Sequence, residues 1–419
     1  MAECPGNPQT LGDVDVFAPE TIENWYPTYD LLREEAPIYH VPGTQTYFLT
    51  RYEDISHVLR RTDLFRRGAG KSRPLLSDSE ALKIFQEQGW PKRTVLGSNP
   101  PEHRRYRDMV DHFFSVIGAE KQTALITNII NALIDEWIDG GEVEYVKCFA
   151  EPLPSMVITT MMGFPLEDLE NLKIWSEAWV APFSLQLSAE EEREAAQHMV
   201  DFQHYIYGHI QMRRENPGED VISYLVENPV KLHSGTRMLS DQEIINMIDH
   251  LYIGGNETTT FALTSGMWLL IQNPSIQKEL RDNPQKSRAF VEEVLRLESP
   301  TQGMDRHTAE ATEINGVPIP QGAHIHIRYA AANRDERQFN CPMDIDVNRK
   351  NAHKHLAFSL GETHCPGAGL TRLEQTIAIQ TILERMENFA FSPEKNDFQH
   401  HLNFTLRSFT DLHFTFDKR

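Results

Sequence analysis

Phe358-Ser359-Leu360-Gly361-Glu362-Thr363-His364-Cys365-Pro366-Gly367-Ala368-Gly369-Leu370 is the stretch on which the reading of this chain turns. Pro366 suits the first position of a helix, where its missing N–H forfeits no hydrogen bond. The run from Leu370 to Met386 repeats apolar side chains at helical spacing. Cys365 is therefore expected at the mouth of a helix, where unpaired backbone N–H groups and the helix dipole favour a thiolate over a thiol. Gly361, Gly367 and Gly369 remove side chains around the sulfur, so something large and flat could approach the backbone. Taken alone, the segment is equally well a free cysteine at a helix start, and the rest of the chain has to decide.

The composition narrows the field. The chain has 419 residues, 40% of them hydrophobic, enough for a large buried core. A formal net charge of −21 argues against nucleic acid and anionic membranes as partners. Cys4, Cys148, Cys341 and Cys365 show neither zinc-ligand spacing nor the density of a disulfide scaffold, which fits a reducing, cytoplasmic setting. No apolar run follows a basic start in residues 1–16, so no signal peptide is expected. No run of about eighteen uncharged apolar residues exists, so no membrane span is expected.

Three further patterns carry chemistry. Asn99-Pro100-Pro101-Glu102-His103 opens a helix expected to run to Phe114, with His103 and Arg107 four apart on one face. Alone, that basic face reads as solvated surface. Ser240 to Glu243 fits a capping box, and helical spacing continues to Ile271. The middle of this long helix holds Gly254-Gly255-Asn256-Glu257-Thr258-Thr259-Thr260, where two glycines weaken the helix and a threonine can bond the carbonyl of Gly254. Glu293 and Arg296, three apart on a third helix, can pair, as many surface residues do. After Pro300 the period shifts toward strands: Asn315-Gly316 signals a hairpin, and the part from Leu402 to Phe416 reads as strands.

Together, in this order, these segments resemble the cytochrome P450 family. Phe358-x-x-Gly361 with Cys365 and Gly367 resembles its haem-ligating segment, in which the cysteine thiolate is the proximal ligand of a haem b iron. The family usually carries His or Arg where Thr363 stands, and here His364 is next door. Gly-Gly-x-Glu-Thr is similar to its oxygen-activation motif. Gly254 and Gly255 would let the helix lie against the haem, while Glu257 and Thr258 would manage the protons that dioxygen cleavage consumes. Glu293-x-x-Arg296, completed by Arg349, matches its buried structural pair. His103, Arg107, Arg306 and His355 match positions that hold haem propionates, which need cationic or N–H partners when buried.

The resemblance implies a mainly α fold with small β-sheets: one triangular helical domain around a buried haem, residues 1–419, with the first ~15 residues flexible. It implies a haem-thiolate monooxygenase, which inserts one atom of dioxygen and reduces the other to water. No flavin or iron–sulfur motif is fused, so a separate ferredoxin and ferredoxin reductase are expected as donors to a monomer, docking at Arg104, Arg105 and Arg372. By position, the substrate pocket would be lined by Val95, Leu96, His250, Ile253, Gln302, Met304, Thr405 and Leu406. His250 and Gln302 are polar, which suggests a small, largely apolar substrate with a hydrogen-bonding group, hydroxylated or O-demethylated. The rival readings are a haem-thiolate peroxygenase driven by hydrogen peroxide, and a haem sensor or carrier without catalysis.

Overall fold

The computed structural model describes residues 8–68, 76–91, 95–184 and 187–419. They form two compact units, each discontinuous in sequence: one holds the N-terminal residues to 68 with Asn283–Cys365 and Asp397–Thr410, the other holds residues 76–282 with Pro366–Asn396 and Asp411–Arg419.

The first unit is organised by a five-stranded sheet. Its strands lie in the order Ile38–His40, Thr46–Leu49, His324–Ile327, Met304–Thr308 and Phe65–Arg66. All neighbours are antiparallel except Thr46–Leu49 with His324–Ile327, which run parallel. Leu49, Ile325 and Ile327 are fully buried and pack with Ile55, Val58 and Leu59 of the Tyr52–Arg60 helix. That helix has apolar residues at i, i+3 and i+4, and the strands alternate, so each lays one apolar face on the other. The expected Asn315-Gly316 hairpin is present, both residues having positive φ, between Thr312–Ile314 and Val317–Ile319.

The second unit is a helical body around the helix Asp241–Gln272. Ser240 and Glu243 close the expected capping box at its start, which satisfies two of the N–H groups a helix end leaves open. Its 32 residues span about 48 Å. The helices Pro152–Met162, Leu169–Val180, Ala189–Glu215 and Ala368–Arg385 pack on it. At Gly255 the approach is closest: a Cβ there would stand 3.3 Å from the Ile158 side chain.

Four local expectations are corrected. The helix after Cys365 begins at Ala368 with Gly367 as its N-cap, so Pro366 precedes the helix rather than starting it. The basic helix stops at Arg107 and resumes at Asp111–Phe114, the chain turning through Asp108–Val110. Residues 1–7 lie outside the described residues, but Leu11–Asp13 form a helical turn closed by hydrogen bonds between Thr10 and Asp13. In the C-terminal stretch only His413–Lys418 is a strand; the earlier part makes two isolated bridges, Thr301 with Leu406 and His400 with Phe409. Among the described residues, no helix is long and apolar enough to cross a membrane.

Candidate active site

The cysteine segment of the first unit is a tight loop. The Cys365 N–H donates to the Phe358 carbonyl at 2.9 Å, and the His364 N–H to the Gly361 carbonyl at 3.1 Å. Ser359 and Gly361 have φ of 63° and 72°, and only at Gly361 does the absence of a Cβ make that region free of strain. Cys365 is partly buried, and it forms no disulfide among the described residues. The Phe358 ring stands 5.7 Å from the His355 ring and 6.3 Å from that of His364.

Arg306, buried on the Met304–Thr308 strand, reaches this loop. One terminal nitrogen donates to its neighbour's Asp305 carbonyl at 2.6 Å and the other to the Thr363 hydroxyl at 3.3 Å. His355 Nε2 lies 3.1 Å from Glu292, and its Nδ1 accepts the Ala357 N–H at 3.2 Å. In this arrangement His355 braces the helix that carries Glu293.

Glu293 and Arg296 behave as the pattern implies. Both are fully buried and joined by two hydrogen bonds of 2.7 and 2.9 Å. Arg349 adds two of 3.1 Å to the same carboxylate. The remaining guanidinium N–H groups go to main-chain carbonyls of Asn333, Pro342, Asp344, Asn340 and Cys341. A buried ion cluster is tolerable only when saturated in this way.

In the second unit the long helix is buried along most of its middle, but one line is open. His250 and Gly254 are exposed and Thr258 is partly so, at spacings of four that stack them on one face. A Cβ built on Gly254 would meet no atom within 4 Å. Thr258 Oγ1 donates to the Gly254 carbonyl at 2.8 Å, the back-bond expected of a helical threonine. Ile253 lies beside this line, partly buried.

Next to Thr258, Glu257 accepts a hydrogen bond from the Ser176 hydroxyl at 3.1 Å. The chain of contacts continues: Asn256 donates to Ser176 at 3.4 Å and accepts from Ser155 at 2.7 Å. Burial pushes the Glu257 carboxyl up to about 7; the Ser176 hydroxyl pulls the other way, and the neighbouring Glu177 and Glu151 push it further up. Of the basic helix, His103 is buried, while the Arg107 side chain is largely covered, with its Nε on Asp111 at 2.7 Å.

The expected pocket residues divide. Val95 and Leu96 are buried, as is Leu406; Thr405 is partly buried, and Met304 is 47% exposed. Gln302 is a correction. Its amide nitrogen donates to the Glu298 and Ser299 carbonyls, its amide oxygen accepts from Tyr29, and it is fully buried. It ties the chain after the Ser287–Glu298 helix and offers nothing to a ligand. Sequence reasoning passed over Ser176 and Asn256, whose hydrogen bonds hold Glu257. Ser176 lies on another helix, and nothing local in the sequence links it to Asn256 or Glu257.

The cytochrome P450 family model matches residues 34–410. The chain belongs to the cytochrome P450 family. A "Cytochrome P450" of Bacillus subtilis (strain 168) is 32% identical over 402 residues, covering 93% of this chain and 94% of the relative. A "Biotin biosynthesis cytochrome P450" of the same strain is 32% identical over 372 residues, covering 88% and 90%. Among solved structures, P450BioI in complex with a hexadec-9Z-enoic acid ligated acyl carrier protein matches with a TM-score of 0.83 at 31% identity, covering 95% of this chain and 99% of that one. The fold is that of the P450s, and the protein is a haem-thiolate monooxygenase whose cofactor is haem b with a cysteine thiolate on the iron. The residues present fit that group: a cysteine in a glycine-bearing loop with a buried arginine beside it in the first unit, and in the second an open helix line whose Gly254 position has space for a flat ring.

Proposed function

We propose that Cys365 supplies the thiolate to the haem iron, and that Gly254 and Gly255 give the long helix the slim profile a flat macrocycle needs. Phe358, Gly361 and Gly367 shape the cysteine loop. Arg306, His103, Arg107 and His355 take the propionates. The bound haem supplies the dioxygen and electron chemistry; this chain's own residues position substrate and deliver protons. Because the family model runs through both units, the reading is one catalytic domain.

One observation carries the proton role. Glu257, its carboxyl pushed up to about 7, sits one residue from the open Thr258 and holds a hydroxyl relay through Ser176. A group titrating near the working pH is a competent proton donor and can be reloaded. Thr258 presents its hydroxyl on the open helix face and orders water there, while its back-bond to Gly254 fixes its rotamer. A peroxide-driven enzyme or a haem carrier needs no such acid–alcohol pair.

The substrate is small and largely apolar, bounded by Val95, Leu96, Ile253, Met304, Thr405 and Leu406, with its polar group facing His250. With Gln302 removed from the lining, His250 and Thr405 are its hydrogen-bonding side chains, and hydroxylation or O-demethylation takes place at the apolar end of the substrate. Electrons come from a ferredoxin and its reductase. Arg104, Arg105 and Arg372 are the docking cations, Arg104 being held in place by Asp108 and Asp111 at 2.7 and 3.3 Å and Arg105 by the Lys231 carbonyl at 2.9 Å. Cys148, Cys341 and Cys365 form no disulfide with one another, which suits a reducing cytoplasm, and the enzyme acts as a monomer.

The test compares product formed per reductant consumed, with dioxygen, for wild type and Thr258→Ala, and repeats both with hydrogen peroxide alone. The reading predicts a loss of coupling in the variant with dioxygen, by at least about tenfold, and little effect with peroxide. Equal loss in both assays, or no loss in either, contradicts it.

A further inference from the structure

On the five-stranded sheet, the strands His324–Ile327 and Met304–Thr308 pair antiparallel, with His324 opposite His307 and His326 opposite Asp305. Side chains alternate along a strand, so Asp305, His307, His324 and His326 share one face and Arg306 points to the other. This cluster takes no part in the site described above. His326 Nδ1 lies 3.1 Å from one Asp305 oxygen, and His324 Nε2 lies 3.3 Å from the other. The ligand atoms of Asp305, His324 and His326 all fall within 4.8 Å of one another.

We propose that Asp305, His324 and His326 form a divalent transition-metal site, with zinc its best fit. Ligands about 2.0–2.1 Å from a tetrahedral zinc stand about 3.3–3.4 Å apart, and each imidazole nitrogen lies at about that separation from one of the two Asp305 oxygens, 3.1 Å for His326 and 3.3 Å for His324. Imidazole and carboxylate suit zinc and its first-row neighbours better than magnesium or calcium, which prefer all-oxygen shells. Strand positions fix the ligands more rigidly than a loop would.

Access and shielding are also those of a site. The Asp305 side chain is 49% exposed and opens a path from solvent. His326 is buried, with the rings of Phe48 and Phe404 at 4.8 and 5.1 Å forming an apolar wall behind it. The fourth position belongs to water. His307 adds a third imidazole to the face: its Nε2 bonds the Gly68 carbonyl, which leaves Nδ1 as a lone pair with no hydrogen-bond partner among the described residues. Its ring centroid is 6.0 Å from that of His324. A metal there would pin the strand that carries Arg306 to its neighbour, a structural role at a distance from the haem chemistry.

The experiment uses the haem-loaded, tag-free full chain, stripped with chelator and titrated with zinc chloride against a chromophoric zinc competitor. One zinc per chain is expected, with affinity at least tenfold weaker in His324→Gln and in His326→Gln. Zinc K-edge absorption on the wild type gives a check that does not depend on how the variants fold: scattering from two imidazoles and from oxygen is expected. Absence of stoichiometric binding at micromolar zinc overturns the proposal. So does unchanged affinity in variants that keep the normal haem spectrum, or a zinc shell containing cysteine sulfur.

Discussion

Arg306 donates a hydrogen bond to the Thr363 hydroxyl, across 3.3 Å. Thr363 is the position at which the cysteine segment departs from the family's usual cation, and the structure shows what the departure leaves in place. A buried guanidinium, steadied by a hydroxyl from the loop, lies beside the loop where a second cation would otherwise stand. Thr363→Ala should release Arg306 and speed haem transfer to an apo-acceptor by about threefold to tenfold, the worth of one ordinary hydrogen bond. Thr363→His should not. Equal rates for wild type and Thr363→Ala would remove Thr363 from the cofactor's support.

Glu257 gives the account a pH signature. Its carboxyl sits at about 7 in the fold because burial penalises the charge, against an ordinary value of 4.5. It is protonated below 7 and ionised above, so coupling of reductant to product should fall as pH rises through 7. Ser176→Ala removes the hydrogen bond that favours the charged form and should move that fall to higher pH. Glu257→Gln should abolish the inflection. A profile unchanged in Glu257→Gln would assign the titration elsewhere.

Glu374 makes a separate prediction about stability. It lies on the Ala368–Arg385 helix, buried, with one carboxylate oxygen lacking a hydrogen-bond partner among the described residues, and burial raises it to about 8. Because the folded value lies above the unfolded one, the fold binds the proton more tightly between them. This group's contribution is intact below 4.5 and is lost as pH rises through 8. Glu374→Gln should be near neutral at pH 5 and stabilise by ~1–3 kcal/mol at pH 8.5. Denaturant midpoints at the two values check it; a variant equally destabilised at both would show that the acid is needed for packing.

Much of this was legible in the chain because it is written locally. The capping box at Ser240 and Glu243, the threonine back-bond to Gly254 and the Asn315-Gly316 hairpin each follow from neighbours in sequence. Glu293, Arg296 and Arg349 were found through order and spacing, although nothing local distinguishes a buried pair from a surface one. What the sequence hid lies across the chain. Gln302 looked available because its partner Tyr29, far away in sequence, reaches it only in the fold. Asp305 meets His324 and His326 only through strand pairing, and the sole local hint was histidine at alternate positions in a strand. Pro366 misled by two residues, because Gly367 rather than the cysteine caps the helix.

The central claim is that Cys365 is the thiolate ligand of a haem iron. The direct measurement is the visible spectrum of the reduced protein under carbon monoxide, for wild type, Cys365→Ser and His364→Ala. The account predicts a strongly red-shifted Soret band in the wild type and in His364→Ala, and its loss in Cys365→Ser. A band typical of histidine ligation in the wild type, or one that survives in Cys365→Ser and disappears in His364→Ala, would contradict it.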